Sequence, residues 1–182
     1  ARNYIGSFSV GRAMSDDAPD VRMLATGGTI ANPPDVDGYL SGSDLIDRIP
    51  ELETAASVRA EDVASIASTC ITPEIWWRLH DRIHDLTTEN PPDGVVVTHG
   101  SNTIEETAYF LHLTLNTTVP VVLTAAQRNH GTIGNDGDRN LYDAVRVAAS
   151  EEARGRGVLV VANDTIHGAR DVVKAVSSRP DA

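Results

Sequence analysis

Four short apolar runs, Val21–Ala25, Val95–Thr98, Val119–Thr124 and Val158–Ala162, are rich in valine and almost free of charge. Runs of that length without polar alternation fit strands buried on both faces. Helical spacing fills the gaps between them: Ile75, Leu79, Ile83 and Leu86 follow Thr72-Pro73, a pair suited to starting a helix. Ile104, Ala108, Leu111 and Leu115 repeat in the same way, as do Leu141, Ala144, Val145 and Ala148. This alternation predicts an α/β fold, a parallel sheet in a flavodoxin/Rossmann-like three-layer domain with helices on both faces. Ligands of such sheets bind at the carboxyl ends of the strands, so the informative residues should lie at the junctions where the strands run into helices.

Composition narrows the classes of function. The 182 residues are 41% hydrophobic, enough for one domain with a core. Twenty-six acidic against fifteen basic residues leave a net charge of −11, which argues against a nucleic-acid surface or an anionic membrane as partner. No apolar run approaches the roughly 18–20 residues of a membrane span. Lys174 is the single lysine beside fourteen arginines, and this excess of acid with scarce lysine points to a salt-adapted source. A lone cysteine, Cys70, allows no internal disulfide and is read as a small core residue in a reducing compartment. The first twelve residues lack the charged and apolar regions of a secretory signal, which predicts a cytoplasmic location. Met14 resembles a native start followed by a polar stretch. Residues 1–20 are therefore expected to be a flexible arm or extension, and residues 21–182 the folded domain.

Three junctions carry candidate chemistry. Thr26-Gly27-Gly28-Thr29-Ile30 follows the first run, where paired glycines permit a tight turn and bring backbone N–H groups to a ligand. Neither GxGxxG nor GxxxxGK[ST] is present, so nucleotide binding is disfavoured, and a hydroxyl here suits a nucleophile beside an oxyanion cradle. His99-Gly100-Ser101-Asn102-Thr103-Ile104-Glu105-Glu106 follows the second. Thr103 with Glu106 reads as a capping box, with Asn102 and Glu105 competing for that role. The alternative sets Ser101 and Asn102 at a positive helix end facing a substrate. No GxSxG elbow surrounds Ser101, so a serine-hydrolase triad is not indicated. Asn163 to Lys174 forms the third junction, where a desolvated Lys174 would serve as a proton carrier. His80 and His84 share a helix face, but without an intervening catalytic Glu or an evident third ligand they make a poor metal site.

Together these segments resemble the asparaginase family of asparaginases, glutaminases and archaeal amidotransferase subunits. Leu24-Ala25-Thr26-Gly27-Gly28-Thr29-Ile30-Ala31 resembles its first signature, and Thr98-His99-Gly100-Ser101-Asn102-Thr103-Ile104-Glu105-Glu106-Thr107-Ala108 its second. Asp136-Gly137 before Asn140-Leu141, and Val158–Val161 with Asn163-Asp164, match in order and spacing. The resemblance implies hydrolysis of the side-chain amide of L-asparagine or L-glutamine through a threonine acyl-enzyme, without metal or organic cofactor. It implies Thr29 as nucleophile, Tyr39 as the activating hydroxyl on a flexible loop, and Ser101 with Lys174 as the second hydroxyl and its proton partner. Ser68 and Thr69 would meet the substrate's α-carboxylate, and the Ala126 backbone its amide; Gly28, Gly100 and Asn102 complete the implied binding set. A homodimer or homotetramer is also implied.

Two departures accompany the match. Ser101-Asn102 stands where the family usually has Thr-Asp, so a neutral amide replaces a carboxylate that would pair with the substrate's α-ammonium and with the lysine. Lys174 should therefore release its proton more readily. The family's smaller carboxyl-terminal domain, which completes a neighbouring subunit's site, is also expected to be absent. Two alternatives follow: a non-catalytic or weakly active binding homologue, and a glutaminase-type subunit of a tRNA-dependent amidotransferase whose partner makes the tRNA contacts.

Overall fold

The computed structural model describes residues 3–4, 18–176 and 179. The uncharged runs form the centre of one sheet. In chain order the elements are β1 (Asn3–Tyr4), β2 (Asp20–Gly27), α1 (Gly42–Asp47), β3 (Ser57–Ile66), α2 (Pro73–Glu89), β4 (Gly94–Thr98), α3 (Ile104–Thr114), β5 (Val121–Thr124), α4 (Gly137–Ala148), β6 (Val158–Ala162) and β7 (Thr165–Gly168). Among the described residues the sheet order is β1-β7-β6-β5-β4-β2-β3. Strands β3, β2, β4, β5 and β6 run parallel. This is the α/β architecture the alternation predicts.

Strand residues alternate between two cores, because successive side chains leave a strand on opposite faces. Met23, Val96, Val122 and Val161 join Leu45 and Leu141 on one face. Leu24, Val97, Leu123 and Val160 pack with Leu79, Ile83 and Leu111 on the other. Helices α1 and α4 thus cover one side and α2 and α3 the other. The strand order also fixes the site, since the chain leaves β2 for the edge strand β3 and returns to β4 on the opposite side of β2. Connections diverge between β2 and β4, and this reversal opens a crevice at the carboxyl ends of the strands.

Three elements differ from the sequence expectations. Strand β3 carries Arg59, Glu61 and Asp62 at an exposed edge, so charge breaks the apolar run that would have revealed it. The third junction does not lead from a strand into a helix. Asn163 and Asp164 adopt positive φ values of 50° and 54°, the turn that closes a hairpin, and β7 returns antiparallel to β6. Cys70 is exposed, in a short turn after β3, rather than in the core. Within the expected arm, Asn3 and Tyr4 pair antiparallel with Ile166 and Thr165, and β2 begins at Asp20. The rest of that expectation, residues 1–2 and 5–17, lies outside the described residues. Among the described residues no helix is long and apolar enough to cross a membrane.

Candidate active site

Glycine lets the loops after β2, β3 and β4 touch. Gly27 and Gly28 take φ values of 91° and 79°, a left-handed region that side chains rarely adopt. A Cβ on Gly28 would lie 2.5 Å from the Gly100 Cα and 2.6 Å from its nitrogen. A Cβ on Gly100 would in turn sit 2.6 Å from Ser68 Oγ. Backbone therefore meets backbone at the crevice, with Thr29, Ser101 and Ser68 each beside a glycine contact. Thr29 opens a short 3-10 turn and is half-buried, and its hydroxyl makes no hydrogen bond among the described residues.

Ser101, Asn102 and Lys174 come together directly. Lys174 Nζ donates to Ser101 Oγ and to Asn102 Oδ1, each at 2.8 Å. Ser101 Oγ lies 3.5 Å from Gln127 Oε1, a long contact beside the lysine bond. The Lys174 backbone is tied down separately, its N–H donating to Glu105 Oε2 at 2.7 Å. Partial burial holds the Lys174 pKa below its ordinary value, because desolvation disfavours the ammonium. That is the direction expected from the sequence, with burial as its cause.

The capping reading of this junction does not hold. No side chain caps α3 at Thr103. Thr103 Oγ1 instead donates to the Ser68 carbonyl at 2.9 Å, stitching the β4 loop to the β3 loop, while Glu105 anchors Lys174. Thr72 does precede α2, which starts with Pro73 at its first turn, but its side chain makes no cap bond either.

His99 supports the same loop from below. It is fully buried, and desolvation lowers its pKa to about 4, so the ring is neutral near pH 7. Nδ1 lies 2.8 Å from the Gly100 carbonyl and must donate to it. Nε2 therefore accepts from Thr107 Oγ1 at 3.1 Å, and that oxygen accepts from Trp76 Nε1 at 2.8 Å. Both ring nitrogens of His99 are thereby satisfied, which fixes the tautomer and the Gly100 carbonyl.

Asp136 and Asn140 organise the next two strand ends. The Asp136 carboxylate accepts from the backbone N–H groups of Gln127 and Arg128, both at 2.9 Å. Asn140 Nδ2 donates to the Ala125 carbonyl and its Oδ1 accepts from Asn163 N–H, also 2.9 Å each. Buried Ala126 is thereby held between them. Sequence reasoning matched both residues but gave them no role; their signal was the spacing Asp136-Gly137…Asn140. Ser101, Ala126, Gln127, Val160 and Lys174 line a cleft of about 60 Å³.

Other expected residues lie outside that cleft. Ser68 is buried behind Gly100, whereas Thr69 is exposed. Tyr39 packs half-buried against the core at the end of the exposed stretch 34–38, and no hydrogen bond joins its hydroxyl to Thr29 among the described residues. His80 Nδ1 is 2.9 Å from Asp81 Oδ1, and its ring stacks on His84 at 6.2 Å.

These features define an α/β domain whose site sits at a strand-order reversal, built from hydroxyls, one lysine and close glycine contacts. A family model described as Asparaginase, N-terminal, matches residues 20–182, and the chain belongs to that family. It is 42% identical over 173 residues to L-asparaginase 2 of Bacillus subtilis, covering 91% of this chain and 46% of that protein. It is also 42% identical over 171 residues to glutaminase-asparaginase of Pseudomonas fluorescens, covering 90% and 47%. A crystal structure of a probable cytoplasmic L-asparaginase from Campylobacter jejuni superposes with a TM-score of 0.84 at 43% identity, covering 90% of this chain and 50% of that one. The chain spans about half the length of these relatives.

Proposed function

We propose that this chain carries the site of a linear-amide hydrolase that releases ammonia from the side-chain amide of L-asparagine, with L-glutamine as a second substrate. The observation that carries the reading is the Lys174–Ser101 bond at 2.8 Å, set beside the Gly28–Gly100 contact that brings Thr29 to the same crevice. Family membership and the names of the relatives support it.

Thr29 Oγ attacks the amide carbon and passes its proton to a neighbouring base, while backbone N–H groups near Gly28 and Gly100 stabilise the oxyanion. The C–N bond breaks as the nitrogen takes up a proton, ammonia leaves, and water then hydrolyses the threonyl ester. Lys174, desolvated and bonded to Ser101, supplies or removes a proton at the Ser101 hydroxyl. Tyr39 is the hydroxyl that activates Thr29, in a substrate-bound form where the two hydroxyls meet. Ser68 and Thr69 receive the substrate carboxylate, and the Ala126 carbonyl accepts from the amide. The working form is a homo-oligomer, and its acidic surface suits high salt, where roughly 1 M salt shortens the Debye length to about 3 Å.

The test is ammonia release from L-asparagine and L-glutamine at molar potassium chloride. Thr29→Ala should lose at least about a hundredfold in rate while keeping its fold. Release unchanged in Thr29→Ala would overturn the assignment of the nucleophile; none from folded wild-type chain would favour a binding homologue.

A further inference from the structure

We infer that Glu105 is a positioning residue for the reaction: through the main chain of Lys174 it sets where the lysine's Nζ stands against the Ser101 hydroxyl. The inference rests on the amide-hydrolase reading and extends it to a residue that acts through another.

Lys174 stands on neither a helix nor a strand. Strand β7 ends at Gly168, and the chain then turns. Ala169 N–H donates to the Val158 carbonyl, and the Asp171 and Val172 N–H groups donate to the Gly168 carbonyl, all at 3.0–3.1 Å. Val172 still packs on the core beside α3, whereas Val173 is 67% exposed. From residue 173 to residue 176 the main chain has no regular structure. Among the described residues its one hydrogen bond over that stretch is Lys174 N–H to Glu105 Oε2, at 2.7 Å. A single side chain therefore holds the backbone that carries the lysine.

The far end of that lysine needs the support. Its stem is long and flexible, so the place of the main chain decides whether Nζ meets Ser101 Oγ and Asn102 Oδ1 at 2.8 Å each. Glu105 is well placed to decide it. It lies in the first turn of α3, directly after the short 3-10 turn Ser101–Thr103, and Ile104 and Ala108 on either side of it are packed in the core. One helix start thus fixes the hydroxyl and the anchor of its proton partner together. A carboxylate accepting from a backbone N–H makes a charge-assisted bond, and its charge suits a helix N-terminus. Spent on the main chain, that charge holds the lysine in place without holding its proton, and burial alone acts on Nζ.

The experiment measures kcat and KM for ammonia release from L-asparagine at molar potassium chloride, on the full chain and three variants. Glu105→Ala removes acceptor and charge and should lower kcat by about tenfold or more, with KM within about threefold. Glu105→Gln keeps a carbonyl at the same reach without the charge, and should stay within about threefold of wild type in both constants. Glu105→Asp keeps the charge but is one methylene short; it should fall with the alanine variant, and covers the case in which that variant does not fold. Lys174 is the single lysine of the chain, so a lysine-specific protease reports on it alone, and an amine-acylating reagent can be read at its peptide by mass spectrometry. Cleavage after Lys174 should run about tenfold faster in Glu105→Ala than in wild type or Glu105→Gln, and Nζ should titrate at higher pH as solvent returns to it. A wild-type kcat in folded Glu105→Ala or Glu105→Asp, or a loss in Glu105→Gln as large as in Glu105→Ala, overturns the inference. If folded wild type releases no ammonia, the hydrolase reading falls by itself; equal cleavage of wild type and Glu105→Ala then overturns the inference, and faster cleavage of the variant leaves Glu105 as the holder of Lys174.

Discussion

Replacing Gly28 by alanine tests whether the loops of the crevice are held at contact distance by absent side chains. Gly28 has φ 79° and ψ 178°, a combination that is essentially open to glycine alone. Forcing alanine there costs about 1–3 kcal/mol. The new Cβ would also lie 2.5 Å from Gly100 Cα, 2.6 Å from Gly100 N and 3.0 Å from the His99 carbonyl carbon. All three are backbone atoms, and His99 is locked by its own hydrogen bonds, so relief requires moving the β4 loop, at a further cost of about 1–3 kcal/mol. Gly155→Ala is the matched control, because Gly155 has φ 68° with nothing within 4 Å of its Cβ position. Its cost is confined to the backbone term of about 1–2 kcal/mol. Urea unfolding in molar salt, followed by the fluorescence of Trp76 and Trp77, should place Gly28→Ala about 2 kcal/mol or more below Gly155→Ala. Equal destabilisation of the two variants, within about 0.5 kcal/mol, would falsify the contact argument.

Two further outcomes follow from polar groups that hold the loops of the site. His99 has its pKa lowered to about 4 in the fold, so between there and its ordinary value near 6.5 the unfolded chain binds the extra proton. Stability should therefore fall as pH drops through that window, by about 1.4 kcal/mol per unit from this group at most, and His99→Gln should flatten the slope in pH-dependent urea titrations. An unchanged slope would show that other groups control it. Asp136→Ala strands the Gln127 and Arg128 N–H groups that its carboxylate accepts, and should cost about 2–4 kcal/mol with a loss of ammonia release beyond the unfolded fraction. A cost under about 0.5 kcal/mol would remove Asp136 from the support of Ala126.

What was legible in the sequence is what physics writes locally. Val95–Thr98 and Val158–Ala162 announce buried strands because nothing in them tolerates water, and the glycine pair announces a turn because only glycine takes that backbone conformation. Strand β3 was hidden by Arg59, Glu61 and Asp62, which an edge strand places in solvent at little cost. The Asn163-Asp164 hairpin was readable as a turn of positive φ, but a valine-rich strand set the expectation of another helix. Thr103 and Glu105 were misread for a different reason. A side chain suited to capping its own helix is equally able to bond outside it, and the competing partners, Ser68 and Lys174, lie 35 and 69 residues away. The convergence of Ser101, Asn102 and Lys174 was implied by resemblance alone, since no local pattern relates positions 72 residues apart.

The lysine shows how the site makes a base in a chain crowded with acids. Twenty-six carboxylates surround one lysine in the sequence, yet among the described residues no ion pair reaches its Nζ. The adjacent acid, Glu105, is turned to the Lys174 backbone, where it fixes the position of the residue without a hydrogen bond to the ammonium. Nζ is left with two neutral acceptors, Ser101 and Asn102, and with enough burial to lower its pKa. A carboxylate at position 102 would hold the proton on the lysine, whereas the neutral amide leaves desolvation unopposed. The residue at position 102 thus acts on proton transfer, and the pH profile of ammonia release in Asn102→Asp reads that effect directly: its basic-side Lys174 limb should move to higher pH, and an unmoved profile would separate Asn102 from the lysine's proton.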